Sequence, residues 1–123
     1  MDLSNIKAAE RVLEIMHPAT GEATGVKLML RPPTDPKVDA VRRRLINAML
    51  AKKAQKQTAD SMEADSIALL SATVADIEFT GDALWNGEKP AFSAALVKEM
   101  LSVVWLRKQV DEAVGETEAF FPS

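Results

Sequence analysis

A mainly α-helical fold is predicted: a small helical domain of about four helices with an N-terminal β-hairpin. Apolar residues recur at spacings of three and four over most of the chain, as in helices that bury one stripe. Strict alternation is confined to one stretch, where Val26, Leu28 and Leu30 interleave with Lys27, Met29 and Arg31. The 123 residues make one ordinary domain, 1–123. A chain of that size buries roughly two-thirds of its unfolded surface.

The hairpin is expected over 10–31. The apolar run Val12 to Met16 faces the alternating strand, and His17-Pro18-Ala19-Thr20-Gly21-Glu22 opens the turn region between them. Pro32, Pro33 and Pro36 then end the strand. A first helix over 36–57 starts at Asp35-Pro36, a cap followed by proline where a missing N–H costs nothing. Its stripe is Val38, Val41, Leu45 and Met49. A second helix, 60–77, is expected to begin at Asp60 with Glu63 completing a capping box, and its stripe is Ile67, Leu70, Val74 and Ile77. The two form an αα-hairpin. Asn86-Gly87 marks a type I′ turn, because both residues accept positive φ. Ser93 caps a third helix, 93–104, and a fourth, 105–115, ends near Gly115, leaving the tail 116–123. Val41, Leu45, Ile67, Leu70, Val74, Leu96, Met100 and Val110 are the expected core.

Composition excludes several chemistries. Without cysteine there is no disulfide scaffold, thiolate zinc site or cysteine nucleophile. The only histidine, His17, lies in a turn beside Pro18 with no acidic cluster spaced for a metal. No Gly-rich phosphate loop and no Gly-x-Ser-x-Gly is present. The expectation is a non-enzyme with no cofactor and no metal. No apolar run reaches the ~18 residues needed to span a bilayer, and the N-terminus lacks a signal-peptide layout, so a soluble, non-exported protein is expected.

The small net charge hides a partition. Lys37, Arg42, Arg43, Arg44, Lys52, Lys53 and Lys56 stand against Asp39 alone, whereas 57–82 carries Asp60, Glu63, Asp65, Asp76, Glu78 and Asp82 and no base. Attraction between adjacent helices across solvated faces is the favoured reading. The alternative is a small helical regulatory or nucleic-acid-binding protein that uses the basic helix 37–56. Consecutive arginines point about 100° apart on a helix, which argues against a common groove for Arg42 to Arg44.

All six large aromatics fall late in the chain: Phe79, Trp85, Phe92, Trp105, Phe120 and Phe121. Trp105 precedes a stripe and is expected as a core anchor. Trp85 in its loop, and Phe120 with Phe121 near the end, are the candidate partner-binding residues, although the phenylalanines equally suit docking on the domain.

The order of short motifs carries a resemblance. His17-Pro18-x-Thr20-Gly21-Glu22, Arg31-Pro32-Pro33, Trp85-Asn86-Gly87-Glu88, Phe92-Ser93, Trp105-Leu106-Arg107-x-Gln109-Val110 and the terminal Phe120-Phe121 together resemble the small tail assembly chaperones of long-tailed bacteriophages. Val104 stands where members commonly have proline, which leaves a break, a kink or a continuous helix open at that junction. The resemblance implies a short, non-frameshifted chaperone that keeps the long helical tape measure protein soluble until tail tube subunits displace it. It further implies action in the host cytoplasm, absence from the mature virion, weak self-association, and a longer frameshifted form and the tail tube protein as further partners. A membrane is not expected as a partner, and nucleic acid is disfavoured. If Trp85 and the tail are the contact surface, Trp85→Ala or removal of residues after Gly115 leaves the thermal midpoint nearly unchanged. If either belongs to the core, the contact surface belongs on the basic helix 37–56.

Overall fold

The computed structural model describes residues 2–51 and 58–121. Two strands, β1 (Arg11–Met16) and β2 (Ala23–Leu30), are followed by two helices, α1 (Pro36–Ala51) and α2 (Ala59–Thr73). A third strand, β3 (Val74–Phe79), and helices α3 (Ala94–Leu101) and α4 (Val104–Val114) complete the chain, with short 3-10 turns at Leu3–Asn5 and Thr117–Phe120. The first of these turns is capped by Asp2, whose carboxyl lies below the usual carboxylate range because the Ser4 hydroxyl and then the Ser4 amide donate to it.

The sheet corrects the expected fold class. β2 is the centre of a three-stranded antiparallel sheet, β1-β2-β3, so the fold is mixed α/β and not mainly α. The strand missed by periodicity is β3. Val74 and Ile77, three residues apart, mimic a helical stripe, yet they pair with Leu30 and Leu28, which are two apart. A register shift there, a β-bulge, takes up the extra residue and turns both side chains to the same buried face. The helix expected over 60–77 therefore stops at Thr73, and strand begins without any loop.

Arg31 makes that abrupt change possible. Its guanidinium donates to the carbonyls of Ala72 (2.8 Å) and Val74 (3.2 Å), and its backbone N–H donates to Thr73 (2.7 Å). Carbonyls that a helix end leaves orphaned are thus satisfied by the residue that follows β2. The start of α2 differs in detail as well. Thr58, not Asp60, is its cap, with the hydroxyl accepting from the Ser61 amide, and Glu63 reaches Arg107 (3.4 Å) in place of closing a capping box.

One face of the sheet, with Ile15, Val26, Leu28, Leu30, Val74 and Ile77, packs against Leu70 of α2 and against α3 and α4 through Leu96, Val97, Met100, Leu101, Leu106, Val110 and Ala113. Of the expected core, Leu70, Val74, Leu96, Met100 and Val110 are buried, while Val41, Leu45 and Ile67 are half-buried. Helix α1 stands apart. Its one buried residue, Val38, lies outside that cluster. The ends of the expected helix 36–57 and of the tail, residues 52–57 and 122–123, lie outside the described residues.

Local signals located the turns. Asn86 (φ 53°) and Gly87 (φ 81°) form the tight turn that joins Trp85 to Glu88 in an isolated bridge. The Ser93 hydroxyl accepts from the Leu96 amide and caps α3. Between α3 and α4 the chain breaks at Ser102–Val103 without any proline, Val103 being extended (φ −80°, ψ 115°). Arg107 holds this break by donating to the Leu101 carbonyl at 3.1 Å.

Candidate functional site: the motif residues and the α1–α2 groove

The aromatic candidates are placed very differently from one another. Phe120 is 2 % exposed and belongs to the core cluster. Its carbonyl accepts from the Ala9 amide (2.7 Å), and the Arg11 guanidinium lies 5.8 Å from its ring centroid. Arg11 also donates to the Ala113 carbonyl (3.3 Å) and pairs with Glu116 (3.5 Å), so the tail is tied to β1 and α4 together. Of the two placements open to it from the sequence, Phe120 thus takes the docked one, inside the core cluster. Phe121, its neighbour, stays 40 % exposed.

Trp85 is half-buried against the core. Its indole N–H donates to Glu99 Oε1 (3.2 Å), and the Asn86 amide donates to the same oxygen (3.1 Å). One carboxylate of α3 thereby pins the turn. Trp105 corrects the opposite way: expected as a core anchor, it is 40 % exposed beside Val104 at 65 %. The buried stripe of α4 is Leu106, Val110 and Ala113, and a residue one position before it points about 100° away.

Two further motif residues, His17 and Gln109, serve the scaffold. His17 Nδ1 accepts from the amides of Ala19 (3.1 Å) and Thr20 (3.3 Å), closing the loop whose ends meet where His17 N–H donates to Glu22 (2.8 Å). Gln109 of α4 both donates to and accepts from the backbone of Met16 (2.8 and 2.9 Å). An amide side chain thus stands in for a neighbouring strand on the open edge of β1. Among the described residues no group of three His, Asp or Glu could hold a metal ion. No helix among them is long and apolar enough to cross a membrane.

One apolar surface left open by the scaffold lies on the outer side of the αα-hairpin. Arg42, Leu45, Ile46 and Met49 of α1 and Met62, Asp65, Ser66 and Leu69 of α2 line an open groove of about 360 Å³. Ile46, Met49, Leu50 and Met62 are 46, 55, 59 and 57 % exposed, an apolar group on two neighbouring helices. Alignment of 42, 45, 46 and 49 with 62, 65, 66 and 69 is the i, i+3, i+4, i+7 pattern on both walls. Arg42 and Arg43 both turn to Asp39 of their own helix (3.1 and 2.9 Å). One carboxylate shared by two guanidiniums leaves that wall positive. Sequence reading named Met49 and Leu45 as core stripe, and the signal it passed over was Ile46 and Leu50 beside that stripe, making α1 too broadly apolar for one contact.

A scan against protein-family models and searches of curated proteins and of solved structures found no match to this chain.

Proposed function

We propose that this chain is a tail assembly chaperone that acts by binding, not by catalysis. It holds the long helical tape measure protein soluble in the host cytoplasm, and tail tube polymerisation then displaces it. The observation that carries this reading is the exposed apolar groove between α1 and α2, in a chain whose motif residues resemble that family. A groove walled by two helices offers an amphipathic helix the i, i+3, i+4 and i+7 contacts that helix-in-groove recognition uses. The client contact is assigned to this groove and not to Phe120, because a buried core residue cannot release without opening the fold. A groove open to solvent also binds reversibly, which a displaceable coat requires.

The test is co-expression with a tape measure protein of a long-tailed bacteriophage. Wild-type chain is expected to keep that protein in the soluble fraction. Ile46→Glu/Met49→Glu is expected to lose this effect while its circular dichroism spectrum stays unchanged. Equal solubilisation by the variant removes the groove from the mechanism. No solubilisation by wild type, with both proteins well expressed, removes the function.

A further inference from the structure

The tight turn at Asn86-Gly87 carries a chemistry that the other two asparagines, Asn5 and Asn47, do not share. An asparagine side-chain carbon is open to attack by the next backbone nitrogen when that nitrogen is free and unshielded. Gly87 supplies such a nitrogen. It has no Cβ, both turn residues are exposed, and among the described residues nothing accepts from the Gly87 N–H. Asn5 is followed by the β-branched Ile6, whose N–H donates to Leu3 (3.1 Å). Asn47 lies inside α1, where the helix engages the next N–H. We propose that Asn86 is a site of spontaneous deamidation, and that its contact with Glu99 governs both the rate and the consequence of the change.

Water is the only co-reactant. The Gly87 nitrogen gives up its proton and bonds to Asn86 Cγ, the Cγ–Nδ2 bond breaks, and ammonia leaves with that proton. Water then opens the succinimide ring at one of its two carbonyls, leaving aspartate or isoaspartate at position 86. The folded turn opposes the first step. Asn86 (φ 53°) and Gly87 (φ 81°) are held between two main-chain hydrogen bonds, from Trp85 N–H to Glu88 (2.7 Å) and from Glu88 N–H to Trp85 (3.1 Å). Glu99 Oε1 adds a third hold by accepting from the Asn86 amide (3.1 Å) and the Trp85 indole (3.2 Å). Opening of the turn frees Cγ to meet the Gly87 nitrogen, and each bond to Glu99 resists that opening. After reaction the hold does not return. A carboxylate at position 86 has no donor for Glu99 and meets it as a like charge. Isoaspartate also adds a methylene to the main chain, which a two-residue turn between the bridged Trp85 and Glu88 does not accommodate. The turn thus lifts from α3 and takes Trp85, half-buried against the core, with it.

The test is incubation of the purified chain at mildly alkaline pH in heavy-oxygen water, read by peptide mapping and mass spectrometry. Asn86 is expected to convert at least about tenfold faster than Asn5 and Asn47, with heavy oxygen entering the product. Glu99→Ala is expected to raise the rate by about tenfold, because the turn loses two hydrogen bonds to α3. Glu99→Gln, which keeps an acceptor there, is expected to stay near the wild-type rate. Glu99 is exposed, and an unchanged circular dichroism spectrum checks that both variants fold. In the deamidated chain the Trp85 and Glu88 amides are expected to exchange hydrogen faster, while those of the central strand β2 do not change. Equal conversion at the three asparagines, a comparison that needs no variant, overturns the proposal. So does a rate that Glu99→Ala leaves unchanged, or a deamidated chain whose Trp85 and Glu88 amides exchange as before.

Discussion

The end of the molecule where β1, α4 and the tail meet and the hairpin of α1 and α2 contain similar apolar side chains and treat them in opposite ways. At the first, Phe120 is covered on all sides, its carbonyl holds Ala9, and Arg11 bridges its ring, Ala113 and Glu116. At the second, Ile46, Met49, Leu50 and Met62 stay about half in water, Arg42 and Arg43 pair with Asp39 of their own helix, and Arg42 also donates to the Pro33 carbonyl (3.2 Å). The difference separates what holds the fold from what is free to bind. A residue enclosed by several elements cannot exchange partners without local unfolding, whereas a half-wet helix face can. Several of the short motifs that tag the sequence hold the scaffold together, at the Arg31 clamp, the Glu99-pinned turn and the Gln109 edge mimic. These three mark the scaffold, while Phe92, Trp105 and Phe121 of the same set of motifs stay about 40 % exposed.

Substitutions measure that contrast. Phe120→Ala is expected to cost about 3–5 kcal/mol of folding stability, the range for emptying a core aromatic site. Removal of the residues after Gly115 is expected to do at least as much, and a thermal midpoint within a few degrees of wild type would dissolve the comparison. Gly25→Ala comes next. Gly25 has φ +87°, and an added Cβ would sit 2.7 Å from the Thr80 carbonyl oxygen and 3.1 Å from Ala83 Cβ. A loss of about 2–3 kcal/mol is expected from the left-handed backbone and the contact with main chain together, read by urea denaturation.

Gln109→Leu removes the pair of hydrogen bonds to Met16 and leaves the β1 edge to water. About 1–2 kcal/mol is expected, with faster hydrogen exchange at the Met16 amide and more aggregation through the opened edge. Unchanged exchange there would show that Gln109 is a bystander. The smallest effect belongs to the hairpin: Leu50→Ala and Met62→Ala are each expected to change stability by under about 0.5 kcal/mol. A loss of 2 kcal/mol or more, on the order of a core truncation, would mean that this face is packed and not free.

Much of the local structure was legible from the sequence alone. Alternation located β2, Asn86-Gly87 the tight turn, Ser93 a helix cap and Asp35 the entry to α1, whose carboxylate accepts from the Lys37 amide at 2.9 Å. Each is decided within a few residues, by backbone angles or a hydrogen bond to the next turn, so neighbouring letters suffice. Tertiary structure decided the rest. Val74 to Phe79 carries helical spacing, and only pairing with β2 across a bulge makes it a strand. Phe120 and Phe121 are adjacent and equally apolar, yet only the first has β1 and Arg11 to close over it. Trp105 faces outward because the neighbours of α4 claim the stripe one residue later. The groove escaped sequence reading for the same reason: a broad apolar face on α1 reads as core until the fold supplies too few partners to cover it. Burial is set by what lies opposite a side chain, and in this chain what lies opposite can be 102 residues away, as from Arg11 to Ala113.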